Sequence, residues 1–221
     1  MIKTIFFDAA GTLFHLPRGV GWHYRDVAAR HGWRLDEAQL RHAFAVVWKE
    51  MPVRPASRVP RSDDDKGWWR ELVGRVLDRC AVPGEISARE AYFEELYREF
   101  TRPGIWELFP EVRDVLASLY PRFRVGVISN FDGRLRPILG HLGLLAVFEP
   151  LIISSEVGAD KPDPWIFEQA LARAGVAPGE AMHVGDDPER DWQGAAAVGL
   201  HTFHLDRPGN SLRDLQDSVM G

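Results

Sequence analysis

The stretch IFFDAAGTL, residues Ile5–Leu13, decides how this chain folds. Its apolar run ends on Asp8, and a Gly11-Thr12 turn follows at once. This pattern is typical of a buried parallel strand that delivers one carboxylate to the carboxyl edge of a sheet. An unpaired charge away from water is costly, so a buried Asp8 needs a partner or a function. We predict that Asp8 is a nucleophile and a metal ligand. The alternative is that Asp8 is a solvated aspartate in an ordinary turn at the end of a strand.

Strand and helix patterns alternate after Gly104. Helices are predicted at Glu111–Tyr120, at Gly133–Leu142 and from Asp163-Pro164 to Ala174, where Asp163 caps and Pro164 occupies the first turn. The predicted strands are Lys3–Asp8, Arg124–Asn130, Leu151–Ser154, Ala181–Gly185 and His201–His204. Alternation of this kind predicts a Rossmann-like α/β core, a doubly wound parallel sheet covered by helices, over residues 1–14 and 106–221.

Residues 15–105 break this rhythm and predict an inserted helical cap domain. Its helices are expected at Val20–His31, after an Asp36 cap, at Gly67–Cys80, and after a capping box formed by Ser87 and Glu90. Four consecutive helices pack as a small bundle. The proline-rich segment Val53–Asp65 is predicted to be a loop with solvated charges. Because the insert leaves from the loop after the first strand, we expect it to act as a lid.

Composition excludes several classes of function. The chain has 221 residues, a net charge of −5 and one cysteine, and its isoelectric point is about 5.9. An acidic chain lacks the basic face of a general nucleic-acid binder, and one cysteine forms no disulfide framework. No apolar run approaches membrane-spanning length. We therefore expect a cytoplasmic protein that binds neither nucleic acid nor membrane; its oligomeric state is not readable from the sequence.

Charged and polar residues follow the strands of the predicted sheet. Asp8, Ser129 and Asp186 end three of them, Asn130 follows Ser129, and Lys161 comes just after a fourth strand. Ligands bind at the carboxyl ends of such strands, so these groups should converge. Crowded carboxylates need a cation, and hard oxygen ligands suit Mg²⁺. A hydroxyl, an ammonium and Mg²⁺ would together screen an anionic substrate from an attacking carboxylate.

The residues also resemble a known family. Four segments are similar, in order and spacing, to the four motifs of the haloacid dehalogenase superfamily: Phe7–Leu13, Val127–Asn130, Lys161-Pro162 and Gly185–Asp191. The similarity spans residues 3–205, and the insert looks like a C1-type cap. Further segments, among them Ser129–Asp132 and Trp68-Trp69, resemble the subgroup called haloacid dehalogenase-like hydrolase domain-containing protein 3.

The resemblance implies a phosphatase acting on a small phosphorylated metabolite. Asp8 would attack phosphorus and carry an aspartyl-phosphate, Ser129 would hold a phosphoryl oxygen, and Lys161 would bridge Asp8 and the phosphate. Asn130 and Thr12 are the further residues expected at the phosphate.

The resemblance also implies an Mg²⁺ site. Its ligands would be Asp8, the backbone carbonyl of Ala10 and Asp186. Asp191 would ligate the cation or orient the ligands, and the choice between Asp187 and Asp191 for the additional carboxylate stays open.

Ala10 is the departure from the family pattern, because phosphatases of the family have a second aspartate there that moves protons. Loss of a positioned acid or base typically costs ~10²–10⁴ in rate. The sequence does not choose among replacements, which are water and four side chains: His15, His23, Asp132 and Glu189.

Three alternatives share the missing aspartate. A 2-haloacid dehalogenase would use Asp8 without metal, but Asp186 and Asp187 stand where that branch has Ser and Asn. A phosphonate-cleaving enzyme would need a cap lysine for a Schiff base, and the cap offers only Lys49 and Lys66. A module that binds phosphate or a protein without turnover would also tolerate Ala10.

Overall fold

The computed structural model describes residues 1–220 and divides the chain into two compact units. One unit, called here the α/β unit, comprises residues 1–15, 54–64 and the chain from residue 107 onward; the other, the helical unit, comprises 16–53 and 65–106. The predicted boundaries, 1–14 with 106–221 and 15–105, differ from this division mainly at residues 54–64. That segment of the insert packs with the α/β unit.

The α/β unit contains the predicted parallel sheet. The strands of this unit are β1 (Thr4–Phe7), β2 (Phe14–His15), β3 (Glu107–Leu108), β4 (Arg124–Ser129), β5 (Leu151–Ile153), β6 (Ala181–Gly185) and β7 (His201–His204). The five-stranded sheet has the order β5-β4-β1-β6-β7, and every pairing in it is parallel. The predicted fold class is thus confirmed, whereas the small antiparallel pair of β2 and β3 was not predicted.

The register of the sheet brings three strand ends together. Phe7 of β1 pairs with Val127 of β4 on one side and with Val184 of β6 on the other. Asp8 follows Phe7, and Ser129 and Asp186 each lie two residues beyond the paired valine. All three residues therefore reach the carboxyl edge of the sheet, where ligands bind in folds of this type.

The helical unit contains the four predicted helices: α1 (Gly19–Arg30), α2 (Glu37–Glu50), α3 (Lys66–Arg79) and α4 (Ile86–Glu99). They share one core, to which each helix contributes buried apolar side chains. The side chain of Asp36 accepts a hydrogen bond from the backbone of Gln39, as its predicted capping role requires. The Ser87 capping box was wrong, because the N-cap of α4 is Glu85, two residues earlier, and Glu85 makes no side-chain cap. The predicted lid role of the insert stays a prediction.

Six helices complete the α/β unit: α5 (Val112–Leu119), α6 (Leu135–His141), α7 (Ser154–Val157), α8 (Pro164–Ala174), α9 (Gly194–Ala197) and α10 (Leu212–Met220). Asp163 caps α8 through the backbone amide of Trp165, as predicted. A π-helical segment, Pro188–Gln193, precedes α9 and was not predicted. Within residues 1–220, every helix is too short or too polar to cross a lipid bilayer.

Candidate active site

Lys161 is the centre of a buried charge cluster at the carboxyl edge of the sheet. Its Nζ donates to Oδ1 of Asp8 over 2.7 Å and to Oδ1 of Asp191 over 2.5 Å. The hydroxyl of Ser129 donates to the same oxygen of Asp8 over 3.3 Å. All four side chains are buried. Four segments far apart in sequence thus meet as the sequence predicted, while their chemical roles stay predictions.

Asn130 holds the backbone of Lys161 rather than contributing an open amide. Its side chain donates to the carbonyl of Lys161 over 2.8 Å and accepts from the amide of Lys161 over 2.6 Å. This two-point contact joins the loop after β4 to the loop that carries the lysine. The phosphate-binding role predicted for Asn130 stays a prediction. Its side chain fixes the position of the Lys161 backbone, from which the lysine side chain extends.

Asp186 lies beside the turn that follows β1. Thr12 is fully buried, and its hydroxyl donates to Oδ1 of Asp186 over 3.0 Å. Gly11 has a φ of +100°, and a Cβ there would approach the Asp186 carboxylate to 2.6–2.9 Å. Glycine is therefore needed for both the backbone conformation and the space. Thr12 orients Asp186, and its predicted phosphate contact stays a prediction.

Asp191 is held from several sides beneath the sheet edge. Besides Lys161, its Oδ1 lies 2.9 Å from Nε2 of His183, and its Oδ2 accepts from the amide of Asp187 over 3.0 Å. A Cβ on Gly185 would lie 2.2 Å from the Asp191 carboxyl carbon, so only glycine leaves room. Both oxygens of Asp191 are engaged, which suits a residue that orients Lys161.

Asp187 faces the start of the π-helical segment instead. Its carboxylate accepts from the backbone amides of Glu189 and Arg190. Of the two aspartates between which the sequence did not choose, Asp191 is thus the one in the charge cluster. The contact of His183 with Asp191 was not predicted, because strand alternation shows that a side chain is buried but not what it contacts.

The cluster carries more negative than positive charge. Asp8, Asp186 and Asp191 each place a carboxylate oxygen within 4.8 Å of the others. Burial raises the pKa of Asp8 to about 6, an effect that Lys161 opposes and the two other aspartates reinforce. Burial likewise raises the pKa of Asp186. Crowding three carboxylates, of which Asp8 and Asp191 are buried, beside one ammonium is unfavourable, and a bound cation offsets it.

Lys161 remains charged in this setting. Burial alone would lower its pKa, but Asp8 and Asp191 outweigh burial and hold the pKa above its usual value. Conversely, the pKa of Asp191 is low, because Lys161 and the hydrogen bond from His183 overcome its own burial. The buried pair of Lys161 and Asp191 is therefore ionised at neutral pH.

The residues present fit an Mg²⁺ ion. Mg²⁺ takes six oxygen ligands at about 2.0–2.1 Å, so opposite ligand oxygens lie ~4.2 Å apart. Three carboxylate oxygens within 4.8 Å of one another need only small shifts to reach that spacing. The predicted ligands Asp8 and Asp186, with Asp191 behind them, are all in this group. The carbonyl of Ala10 lies on the turn between Asp8 and Gly11.

The structure narrows the replacements for the missing aspartate. Asp132 is fully buried, and two nitrogens of Arg134 donate to its carboxylate over 2.7 and 2.8 Å. Both oxygens of this carboxylate are thus engaged by the adjacent guanidinium. His15 packs its ring against Phe109 with centroids 4.7 Å apart. Glu189 is exposed, and His23 is buried.

A family model described as "haloacid dehalogenase-like hydrolase" matches residues 2–199. The chain is a haloacid dehalogenase-like hydrolase. The resemblance found in the sequence is therefore confirmed, and with it the prediction of a hydrolase.

Two named proteins are similar to this hydrolase in sequence. Mouse haloacid dehalogenase-like hydrolase domain-containing protein 3 is 34% identical over 91% of this chain and 81% of its own length. A phosphoserine phosphatase from Thermus thermophilus is 38% identical, over 64% of this chain and 56% of its own. Both similarities agree with the resemblance that the motifs showed.

Two solved structures share the fold over the whole chain. A 2-haloacid dehalogenase from Pseudomonas syringae is 25% identical with a TM-score of 0.66, covering 100% of this chain and 99% of its own. A phosphatase of the same superfamily from Thermococcus onnurineus is 23% identical with a TM-score of 0.68, at the same coverage. At this identity the second structure supports the fold alone.

Proposed function

We propose that this hydrolase is an Mg²⁺-dependent phosphatase that acts on a small phosphorylated metabolite. The observation that carries the proposal is the cluster of three carboxylates with one ammonium at the sheet edge. A site with this charge balance holds a divalent cation and then an anionic substrate. The Thermus phosphoserine phosphatase, similar over 64% of this chain, supports the choice of phosphate.

Asp8 is the nucleophile of the proposed reaction. One of its oxygens attacks phosphorus, the bond from phosphorus to the ester oxygen breaks, and an aspartyl-phosphate forms. Water then attacks phosphorus and returns Asp8 as a carboxylate with inorganic phosphate. Both hydrogen bonds to Asp8 use Oδ1, and the carboxylate has a second oxygen for attack.

Lys161 and Ser129 stabilise the charge on the transferred group. The Nζ of Lys161 and the Oγ of Ser129 lie 2.7 and 3.3 Å from Asp8, so a phosphoryl group bonded to Asp8 would be within their reach. Donors fixed in place before the reaction stabilise developing charge at little reorganisation cost. Asp191 and Asn130 hold the two ends of Lys161 for this purpose.

Asp8, Asp186 and the carbonyl of Ala10 would hold Mg²⁺ in this proposal. The ion would neutralise phosphoryl oxygens and screen them from the Asp8 carboxylate. Thr12 and Gly11 keep Asp186 beside Asp8 through the hydroxyl contact and the close backbone approach described above.

Ala10 makes the proposed enzyme slow on poor leaving groups. With no carboxylate at residue 10, the leaving alkoxide takes its proton from water, and water attacks the aspartyl-phosphate without a positioned base. We expect turnover to depend strongly on the leaving group, with aryl phosphates hydrolysed much faster than alkyl phosphates.

A 2-haloacid dehalogenase is the second candidate. In that reaction Asp8 would displace halide from carbon, and water would attack the carboxyl carbon of the resulting ester. The Pseudomonas dehalogenase, similar over the whole chain, and Ala10 favour it. The Asp186 carboxylate beside Asp8 disfavours it, because it adds negative charge where an anionic haloacid would bind.

A phosphonate-cleaving reaction is less favoured still. A lysine that forms a Schiff base must be able to lose its proton. Of the two lysines in the insert, Lys66 pairs with Glu94 over 2.7 Å and Lys49 is exposed.

Parallel release assays test the proposal. Phosphate release from aryl and alkyl phosphomonoesters, with Mg²⁺ and with EDTA, is measured beside chloride release from 2-chloropropionate. We expect phosphate release that requires Mg²⁺ and that Asp8→Asn abolishes, while the exposed Asp217→Asn variant retains it. EDTA-insensitive turnover, or chloride release alone, would refute the phosphatase. No turnover in either assay would favour a binding module.

A further inference from the structure

Residues 54–64, called here the strap, lie along the loops that carry the site. The backbone amides of Ser57 and Arg58 donate to the carbonyl of Gly158 over 2.8 and 3.2 Å, and that of Arg61 donates to the carbonyl of Ser155 over 2.8 Å. Gly158 has a φ of +72°, and a Cβ there would lie 2.0 Å from the carbonyl oxygen of Val59. The strap therefore contacts the backbone of this loop directly.

Two arginines of the strap converge on Asp160, the residue before Lys161. Arg54 donates through Nε over 2.8 Å, and Arg61 donates through both terminal nitrogens over 3.3 Å. The side chains of all three are only 11–13% exposed. These arginines are thus engaged with the protein, so the prediction of solvated charges in this loop was wrong for both of them.

The last residue of the strap holds the other catalytic loop. The carboxylate of Asp64 accepts from the amide of Gly133 over 2.8 and 3.0 Å and from the hydroxyl of Ser155 over 2.6 Å. A Cβ on Gly133 would lie 2.6 Å from Asp64 Oδ2, so glycine is needed for this approach. Gly133 lies four residues after Ser129, on the loop between β4 and α6.

We propose that Asp160 and Asp64 are positioning residues through which the strap sets the relative placement of Lys161 and Ser129. Asp160, the residue before Lys161, is ion-paired with the strap. Asn130 hydrogen-bonds to the backbone amide and carbonyl of Lys161 itself. Asp64 fixes the loop that begins with Asn130, directly after Ser129 at the end of β4. Lys161 and Ser129 donate to the same oxygen of Asp8. Asn130 couples the segments that carry them, so a shift of either segment changes the placement of the two donors relative to each other.

The proposal deepens the phosphatase proposal and rests on it for its kinetic consequence. Misplacement by ~1 Å costs about 10²-fold in rate when reacting groups must be aligned. We therefore expect Asp160→Asn and Asp64→Asn to lower kcat at least tenfold, with KM changed less than threefold. Asp114→Asn is the matched control, since it breaks an exposed ion pair of the same unit, with Arg213 over 3.3 Å.

A combined variant separates positioning from mere stability. If Asp160 acts through the strap arginines, Arg54→Gln/Arg61→Gln should lower kcat as Asp160→Asn does, and combining all three changes should lower it no further. Multiplying losses would overturn the proposal. So would a normal kcat in Asp160→Asn and Asp64→Asn.

Hydrogen exchange gives a readout that does not need turnover. Amides of residues 158–163 should exchange faster in Asp160→Asn, and amides of 131–135 should exchange faster in Asp64→Asn, while Asp114→Asn changes neither. Unchanged amide exchange in both Asp160→Asn and Asp64→Asn would overturn the proposal. If the wild-type protein hydrolyses neither substrate class, the proposed function fails, and exchange alone then decides whether the strap positions these loops.

Discussion

Ala10 stands two residues after Asp8, where phosphatases resembling this chain carry a second aspartate. The strand-and-turn pattern predicted the position of the nucleophile, and the family resemblance implied that a second aspartate is missing at residue 10. The sequence did not show that Asp132 is bound by Arg134, since that depends on local side-chain geometry.

A carboxylate at residue 10 should restore proton transfer to the leaving group. We expect Ala10→Asp to raise phosphate release from alkyl phosphomonoesters about 10²-fold and to act less on aryl phosphates, which leave without a proton. Ala10→Asn is the matched control, because it has the same shape but donates no proton to a leaving alkoxide. Equal rates in the two variants would show that residue 10 does not limit the reaction.

Substitutions at Gly11 and Gly175 separate the effect of backbone strain from the effect of crowding the Asp186 carboxylate. Gly11→Ala should weaken Mg²⁺ activation about tenfold, because the new Cβ would push the Asp186 carboxylate away. Gly175→Ala is the control: its φ is +66° and nothing lies within 4 Å of its Cβ. Both changes should lower the free energy of unfolding by about 1–2 kcal/mol, as urea titration measures. Equal Mg²⁺ activation in both would contradict the role of Gly11.

At the scale of elements, repeating patterns predicted more than isolated contacts did. Strands β6 and β7 have their predicted bounds, and Asp36 and Asp163 cap their helices, because these signals are local. The pair of β2 and β3 was missed, since two-residue strands exist only through a partner about 90 residues away. The π-helical segment was missed as well, and its Asp191 occupies the space that Gly185 leaves open.

Helix α1 carries a titratable group that the fold holds neutral. His23 is 2% exposed, and within residues 1–220 neither of its ring nitrogens has a hydrogen-bond partner. Burial lowers its pKa below the usual 6.5, and the nearby Glu99 only partly opposes this. The unfolded chain therefore binds a proton more readily than the folded one, and stability falls as pH drops below about 6.5.

Removing this group should flatten the pH dependence of stability. Between pH 7.5 and 5.5, His23→Leu should lose less unfolding free energy than the wild type, by at most about 1.4 kcal/mol per pH unit. Urea titrations at both pH values measure the difference. His42→Leu, at an exposed position of α2, should behave like the wild type. A parallel loss in His23→Leu and wild type would exclude His23 as the cause.

At the scale of the whole molecule, the sheet and the convergence of its loops followed from the order of strands and helices. The strap did not, because proline and mixed charge resemble a solvated loop. The acceptor of Arg54 and Arg61 is Asp160, about 100 residues later in the chain. Long-range ion pairs leave no periodic signal, so only the folded structure shows that this part of the insert belongs with the α/β unit.

Calorimetric titration with Mg²⁺ tests the central claim most directly, since it asks whether the three-carboxylate cluster holds a cation. The wild-type protein should bind one Mg²⁺, Asp186→Asn should bind it at least tenfold more weakly, and Asp217→Asn should match the wild type. Absence of Mg²⁺ binding to the wild type at millimolar concentration, or equal affinity in Asp186→Asn, would contradict the metal-dependent site.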